Sequence, residues 1–473
     1  KMPGKTAVRK ELSSMPSVNY KACDLPSAIA KPSTPSQWAA ITCFQLVYSM
    51  VNTGMGLYVL PREAQRLHQH NSSFWVGVFL TVCGATQVIC PIAGKLSDRH
   101  QSRFGRRRPF IVAGTFCAVM SFALMRVASQ LLWPQVYLSA LFMGELALNI
   151  VYSAQCGLPV DLQEKEHGLQ EEGTKGIVSG LVALHSFLGS IAAMGFMALT
   201  RSLPVQVQYP VFMSSLIIVC GLVCVSAHEM PTHHLPASGD PVSLDSIFKS
   251  FLIDLEKDKD FFWVCVGRLF YYISTSGVVF LYYYIHDMLY VKEDADVRSH
   301  LAFLVILAQL VGAAGSVPFS RLSNEVGRKL VIYYANALMA TTFILYSLAP
   351  LAGERFAWPV ALLAGLCFGV GSGAYLSVDY ALALDCMPVG KSTAEAFGLW
   401  GIAGFAGSTV GPMLSGLLLS ASRKDHLHAP FSTRDGEALE EYSYIGYVLV
   451  MLVTGSLMNG MVAAVTSRIV AAK

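Results

Sequence analysis

The sequence predicts an all-α membrane protein with twelve transmembrane helices in two six-helix halves. Apolar blocks of roughly 20 residues, the length that spans a bilayer, recur along the whole chain. The longest polar interruption between blocks divides them six and six. A loop pattern that occurs twice indicates that the two halves are related.

The composition also indicates a membrane environment. Of the 473 residues only 14% are charged and 53% are hydrophobic, and the mean hydropathy is +0.49. A soluble protein carries about 25% charged residues. Backbone N–H and C=O groups cannot stay unpaired in lipid, so the apolar blocks must be helices. The lipid bilayer is therefore the first partner that the sequence predicts.

Each predicted span is long enough to cross the bilayer, alone or with a tilt. The twelve spans are Trp38–Leu60, Phe74–Ala93, Phe110–Ala128, Pro134–Leu158, Gly176–Leu199, Tyr209–Ala227, Phe261–Tyr284, His300–Phe319, Val331–Ala349, Phe356–Leu384, Ala396–Leu419 and Ser443–Val465. We expect a disordered arm at 1–37, the N-terminal half at 38–227, a linker at 228–260, the C-terminal half at 261–465 and a tail at 466–473.

The distribution of Lys and Arg predicts the orientation. If the N-terminus is cytosolic, the cytosolic segments hold 23 of these residues and the opposite loops hold 10. The positive-inside rule therefore places the arm, the linker and both termini in the cytosol. The plasma membrane is the default location, and an organelle membrane is the alternative.

Two loops share a pattern at nearly equal spacing. The loop after span two reads GKLSDRHQSRFGRRRP from Gly94, and the loop after span eight reads SRLSNEVGRK from Ser320, 226 positions later. Spans four and ten also match at one end, LPVDL around Asp161 and LALDC around Asp385, 224 positions apart. Repeated halves are typical of transporters that alternate access around a site near the bilayer midplane.

The pattern G-x-L-S-D-R…G-R-R between spans two and three resembles the signature loop of the major facilitator superfamily. The resemblance implies a gating latch in which Gly94 lets spans two and eleven approach and Asp98 pairs with an arginine across the two halves. The alternative is that the arginines only obey the positive-inside rule. The latch residues predicted in this way are Gly94, Asp98, Arg99, Gly105, Arg106, Arg107, Arg108, Asp161, Arg321, Arg328 and Asp385.

The longer string SDRHQSRFGRRRPFIVAG resembles the corresponding loop of plant sucrose–proton symporters and their animal relatives, within the glycoside–pentoside–hexuronide cation symporters. GRLFYYISTSGVVFLYYYIHD in span seven and GSGAYLSVDYALALDCMP in span ten are similar to their equivalents in that group. Aligned on the Asp161 end, span four carries Glu145 where the sucrose symporters have a membrane-embedded Asp implicated in proton coupling. The resemblance implies that Glu145 carries the proton.

Charged residues inside spans are costly, so each needs a reason. We predict that Glu145, Arg268 and Asp379 take part in proton coupling. Glu145 lies about 16 Å along span four from its outer end, at 1.5 Å per residue; the alternative for it is a static pair with a basic partner. Arg268 is the counter-charge to Glu145, a donor to sugar hydroxyls, or a side chain that extends to the interface. Asp379 belongs to the gate or to the binding site.

Polar and aromatic side chains near these charges fit a sugar better than a lipid or a hydrophobic cation. The same residues could instead join neighbouring helices by hydrogen bonds. His185 is a weaker candidate for a contact with the proton or the sugar. The predicted substrate-binding residues are Gln45, Tyr48, Asn52, Asn149, Tyr152, Tyr271, Tyr272 and Thr275.

The sequence lacks the patterns that are typical of other function classes. No nucleophile–base spacing and no Walker loop occurs, so we expect neither an enzyme nor an ATP-driven pump. No Cys/His spacing predicts a metal site, and no cofactor is expected beyond a proton as coupling ion. The arginine-rich loop lacks a base-reading helix, so no nucleic acid partner is expected. The predicted form is a monomer, with a larger membrane complex as the alternative.

The sequence therefore predicts a secondary active transporter, a proton-coupled sugar symporter that works by alternating access. One alternative is transport of another small polar solute. The other is a transporter-derived structural subunit of a membrane complex, which Asn324 favours because it weakens the second latch.

Overall fold

In the computed structural model, described for residues 35–68, 71–166, 172–227, 257–291, 293–386, 388, 393–423 and 442–470, the described chain forms twelve helical rods. The rods are α1 (Pro35–Thr42, Phe44–Gly54, π-helical Met55–Val59 and Leu60–Leu67), α2 (Ser72–Thr86 and Ile89–Arg99), α3 (Arg108–Gln130), α4 (Pro134–Glu166), α5 (Glu172–Leu199), α6 (Gln208–Ser226), α7 (Lys259–Thr275, 3₁₀-helical Ser276–Phe280 and Leu281–Met288), α8 (Asp294–Val326), α9 (Arg328–Leu348), α10 (Glu354–Asp385), α11 (Thr393–Ser420) and α12 (Tyr444–Leu449, π-helical Val450–Leu457 and Met458–Thr466).

The predicted all-α polytopic fold is confirmed. Nine helices among the described residues are long and apolar enough to cross a membrane, and α2 and α5 contribute the shorter apolar helices Ser72–Thr86 and Leu184–Leu199. Two predicted boundaries were wrong. Helix α1 begins at Pro35, inside the predicted arm, and α7 begins at Lys259, inside the predicted linker. Apart from those ends, the arm and the linker lie outside the described residues.

Helix α1 is longer and less regular than predicted. It continues past Leu60 to Leu67 and contains the π-helical turn Met55–Val59. Pro61 explains this turn, since proline lacks an N–H and its ring collides with the carbonyl four residues earlier. The backbone widens there and the helix continues.

Helix α2 is interrupted where one continuous span was predicted. It breaks at Gln87 and Val88, just before Pro91. A proline at position 91 has no N–H to bond to the carbonyl of Gln87, so the sequence itself favours a break here. The hydroxyl of Thr86 donates to the carbonyl of Cys83 at 2.7 Å, so a side chain replaces part of the helical bonding at the break.

Close packing of α2 against α11 joins the N-terminal helices, α1–α6, to the C-terminal helices, α7–α12. A Cβ on Gly77 would lie 3.0 Å from the carbonyl oxygen of Pro412, and one on Gly416 would lie 2.6 Å from the carbonyl oxygen of Ser73. The hydroxyl of Thr81 donates to the carbonyl of Thr409 at 3.2 Å. Small residues let the two backbones approach, as is usual between membrane helices.

Hydrogen bonds between the two sets of helices cluster at one end of the molecule, which we call the sealed end. The hydroxyl of Tyr283 donates to the carbonyl of Pro61 at 2.7 Å. The hydroxyl of Tyr442 lies 2.8 Å from Ser72 Oγ and accepts a bond from the N–H of Ser73 at 3.0 Å.

A buried arginine adds a second link at the sealed end. Arg298 of α8 donates to the carbonyl of Leu203 at 2.8 Å and stands over the ring of Tyr58, 5.0 Å from its centroid. It also pairs with Asp294, which accepts a bond from Tyr282. The sealed end carries the loops predicted to face away from the cytosol.

Candidate functional site

Glu145 lies in the middle of α4 and is only 3% exposed. It has no hydrogen bond or ion pair with any residue that the structure describes. Tyr48 and Cys83 are close enough to interact with its carboxyl group electrostatically. The static pair with a basic partner, considered from the sequence, is therefore not seen in the described part of the chain.

Three predicted binding residues lie beside Glu145. The hydroxyl of Tyr48 donates to Asn149 Oδ1 at 3.0 Å, and Asn149 Nδ2 donates to Thr86 Oγ1 at 3.0 Å. The rings of Tyr48 and Tyr152 are stacked, with centroids 4.4 Å apart. Helices α1, α2 and α4 thus meet in a small polar and aromatic group next to an isolated carboxyl group.

Gln45 and Asn52, the other predicted binding residues of α1, have partners within the protein. Gln45 Nε2 donates to Ser186 Oγ of α5 at 2.7 Å, and Asn52 Nδ2 donates to the carbonyl of Tyr48 at 2.9 Å. His185 Nδ1 lies 3.2 Å from the hydroxyl of Thr42. These contacts join helices or cap backbone carbonyls, as the alternative interpretation expected.

Arg268 and Asp379 form a buried ion pair between α7 and α10. The guanidinium also donates to the hydroxyl of Tyr272 at 3.2 Å. Its Cζ lies 3.3 Å from the centroid of the Trp400 ring, which is cation–π distance. Arg268 is therefore the counter-charge of Asp379 rather than of Glu145, and its side chain is buried instead of extending to the membrane surface.

The sequence did not point to Trp400 or to Tyr375. Trp400 interrupts a run of small residues in α11, which was the only available signal. Tyr375 stacks on Tyr271 with centroids 3.7 Å apart. Thr275, another predicted binding residue, donates to the carbonyl of Tyr272 at 3.1 Å.

The two tyrosine stacks occupy matching positions in the two sets of helices. Tyr48 and Tyr271 are 223 positions apart, as are Tyr152 and Tyr375. The same spacing relates Gln45 to Arg268 and Cys156 to Asp379. The C-terminal helices thus carry an ion pair where the N-terminal helices carry an amide and a thiol.

The ion pair lies closer than Glu145 to the end opposite the sealed end. Gly84, near the level of Glu145, packs against Thr409 of α11, whereas Arg268 packs against Gly404. These two positions of α11 are separated by about 7.5 Å at 1.5 Å per residue. Cys156 lies on the face of α4 that carries Glu145, farther from the sealed end, and it is exposed.

The loop between α2 and α3 is anchored within the N-terminal helices. Arg107 donates to Ser97, and a Cβ on Gly157 of α4 would lie 2.5 Å from its Cζ. Among the described residues, Gly94 packs against Ser153 of α4, whereas Gly77 and Gly84 make the close approach to α11. The latch role of Gly94 stays a prediction.

The remaining latch residues are only partly described. Arg328 pairs with Asp385 within the C-terminal helices. Gly105 and Gly327 both have positive φ values, 92° and 93°, which suit glycine. Arg106 and Arg108 are half-buried and Arg321 is exposed. The side chains of Asp98, Arg99, Asp161 and Asn324 lie outside the described part.

No group of three or more His, Cys, Asp or Glu side chains that could hold a metal ion occurs among the described residues. The charged groups at the centre are therefore Glu145 on one side and the Arg268–Asp379 pair on the other.

Comparison with known proteins decides the family. The sequence profile described as MFS/sugar transport protein matches residues 46–461. The chain belongs to this family. The predicted membership of the major facilitator superfamily is thereby confirmed.

Individual relatives are distant. The glucuronide carrier protein homolog of Escherichia coli (strain K12) is 22% identical over 310 residues, which are 63% of this chain and 63% of the relative. Among solved structures, nucleoside transporter NupG matches with a TM-score of 0.64 at 13% identity, covering 92% of this chain and 98% of that one. A mutant of NupG matches with a TM-score of 0.67, also at 13% identity, over 92% and 99%.

These comparisons establish the fold and the general class. The protein is an integral membrane protein of the major facilitator type. The structural neighbours show the fold alone, because their sequences are only 13% identical.

Proposed function

We propose that the protein is a proton-coupled symporter of a polar, sugar-like solute, that it works by alternating access, and that Glu145 carries the proton. The observation that supports this most is a buried carboxyl group without a hydrogen bond or ion pair from any described residue. A carboxyl group shielded from water, with no cation beside it, is more stable with its proton than without it. Glu145 can therefore take up a proton when shielded and release it when water reaches it.

The surroundings of Glu145 suit a sugar. Tyr48 and Asn149 supply a hydroxyl and an amide that can exchange their mutual bond for bonds to solute hydroxyls, and Tyr152 supplies a flat ring. The family description names sugar transport, and the bacterial relative is named for a glucuronide. Solute and proton would share one region, so that binding of each favours binding of the other.

Arg268 and Asp379 have a different role in this proposal. Each already neutralises the other, so Asp379 needs no proton to be stable in its buried position. Their hydrogen-bonding groups, together with Tyr272, are available to a solute that reaches the C-terminal helices. We therefore assign the pair to solute binding and orientation rather than to proton carriage.

Uptake into proteoliposomes tests the proposal. Labelled sucrose, maltose, glucose and a glucuronide are offered with and without an inward gradient of one pH unit. One-to-one coupling to that gradient allows about tenfold accumulation, since one pH unit corresponds to about 1.36 kcal/mol. Wild type should accumulate at least one of these solutes, and Glu145→Gln should only equilibrate it.

Three further samples sharpen this result. Glu145→Asp keeps a carboxyl group and should retain part of the accumulation. Glu354→Gln makes the same change at an exposed site and should behave as wild type. Solute exchange without a gradient should persist in Glu145→Gln, which separates lost coupling from lost folding. Full accumulation by Glu145→Gln would refute the assignment.

If none of the sugars is taken up, the solute in the proposal has to change. If folded wild-type protein takes up none of these solutes, a nucleoside should be offered next, because the structural neighbours carry that name. If no solute moves at all, the alternative of a structural subunit in a membrane complex would replace symport.

A further inference from the structure

A buried carboxylate at the sealed end takes no part in the proposed proton and solute chemistry. Asp287 lies in the last turn of α7, and its side chain is 2% exposed. Its Oδ2 accepts a bond from the hydroxyl of Tyr447 at 2.6 Å and another from the backbone N–H of Tyr442 at 3.0 Å. Its Oδ1 lies 2.7 Å from His286 Nδ1. Two donors at or just before the start of α12 and the neighbouring imidazole therefore converge on one carboxylate.

Tyr442 connects this carboxylate to the other set of helices. Its backbone N–H is held by Asp287, and its fully buried ring extends to α2, where its hydroxyl contacts Ser72 and the N–H of Ser73. The ring also meets the edges of Tyr283 and Tyr447, at centroid distances of 5.8 and 6.4 Å. The chain of contacts from α7 to α2 thus passes through Asp287 and one tyrosine.

We propose that Asp287 is a positioning residue that holds the sealed end closed by aiming Tyr442 at the first turn of α2. Hydrogen bonds to a charged acceptor are stronger than neutral ones, so one carboxylate can fix Tyr442 and Tyr447 together. The arrangement must also offset an energetic cost, because His286 Nε2 is buried and has no hydrogen-bond partner among the residues that the structure describes. This inference rests on the alternating-access part of the proposed function and is independent of the solute and the coupling ion.

Reactivity of a cysteine at the seam tests the inference. Ser73 is fully buried between Tyr442 and Gly416, and its contact with Tyr442 uses the backbone N–H, which a substitution leaves in place. The variant Ser73→Cys is labelled in proteoliposomes with a polar maleimide, and labelling at each cysteine is read by mass spectrometry. Adding Asp287→Asn should raise labelling at position 73 about tenfold, the size expected for losing one hydrogen bond to a charged group.

Two further variants separate positioning from misfolding. Tyr442→Phe removes only the hydroxyl that reaches α2, so it should give the same increase. Asp287→Asn combined with Tyr442→Phe should add little more, because both act through one chain of contacts. Asp296→Asn, the same change at an exposed carboxylate of this end, should have no effect.

Labelling of the native Cys156 gives a second measurement, which should not rise together with labelling at position 73. If the open fraction at the sealed end rises from about 1% to about 10%, labelling at Cys156 should stay level or fall slightly. Labelling that rises at both positions would indicate general loosening and would overturn the proposal. Unchanged labelling at position 73 would do the same. If solute accumulation by wild type persisted in either case, the proposed symport would still stand.

Discussion

The N-terminal and the C-terminal helices place different charged groups at the centre of the molecule. The N-terminal helices present one buried carboxyl group, Glu145, without a partner among the described residues. The C-terminal helices present a carboxylate, Asp379, that is paired with Arg268, and the ring of Trp400 covers the guanidinium of Arg268. The tyrosine stacks are otherwise matched, so the difference lies in the charges. In the proposed mechanism, this difference separates the group that exchanges a proton from the groups that remain charged.

Breaking the ion pair should have the largest effect on stability. Arg268→Leu leaves Asp379 buried without its cation, and we expect a loss of about 3–5 kcal/mol. The double variant Arg268→Leu with Asp379→Leu should recover most of that loss, because it leaves no uncompensated charge. Thermal unfolding in detergent measures both. A single variant as stable as wild type would contradict the buried pair.

The contact between Gly157 and Arg107 should be the next most sensitive to substitution. Gly157→Ala places a Cβ against the guanidinium, so we expect a loss of about 1–3 kcal/mol from overpacking. The matched control is Gly221→Ala in α6, where a Cβ meets nothing within 4 Å. That change should be neutral or slightly stabilising, as alanine favours a helix by up to about 1 kcal/mol. Equal melting temperatures for the two variants would argue against the anchored loop.

The tyrosine stacks offer a smaller and more local comparison. Tyr48→Phe removes a hydroxyl that bonds Asn149 at 3.0 Å, whereas Tyr375→Phe removes one that lies 3.5 Å from Asp379. We expect Tyr48→Phe to weaken solute binding by about 1 kcal/mol, roughly fivefold, the usual net value of one hydrogen bond. Tyr375→Phe should change it less. Equilibrium solute binding by the purified protein measures both, and the reverse order would place the solute on the C-terminal side.

Neutralising Glu145 should have the smallest effect on stability. Glu145→Gln removes no hydrogen bond or ion pair seen in the described part of the chain, so we expect a change within about 1 kcal/mol. The melting temperature should therefore stay near that of wild type while coupling is lost. A loss as large as that of Arg268→Leu would mean that Glu145 has a structural partner.

The sequence was sufficient for the fold. Span length and the repeated loop predicted the helices and their two sets, and the apolar composition of the spans made Glu145, Arg268 and Asp379 conspicuous. The sequence could not show which charges pair, because pairing depends on the facing of helices that are far apart in the chain. Arg268 therefore had three open interpretations until α10 was placed beside it.

Local backbone changes and small-residue contacts were also beyond the sequence prediction. A proline inside an apolar span can end, bend or widen a helix, so Pro61 and Pro91 did not fix where α1 and α2 break. The resemblance of the first loop assigned a helix contact to Gly94, whereas among the described residues other glycines of α2 make the close approach to α11. Trp400 gave only a weak signal because an aromatic residue in a membrane helix is ordinary.

Proton uptake on solute binding tests the central claim most directly. Binding to the purified protein is measured by calorimetry near pH 7 in two buffers that differ in ionisation enthalpy, with the transported solute. Wild type and Asp379→Asn, if it folds, should take up a proton with the solute, and Glu145→Gln should bind without taking one up. Proton uptake that persists in Glu145→Gln and disappears in Asp379→Asn would contradict the account.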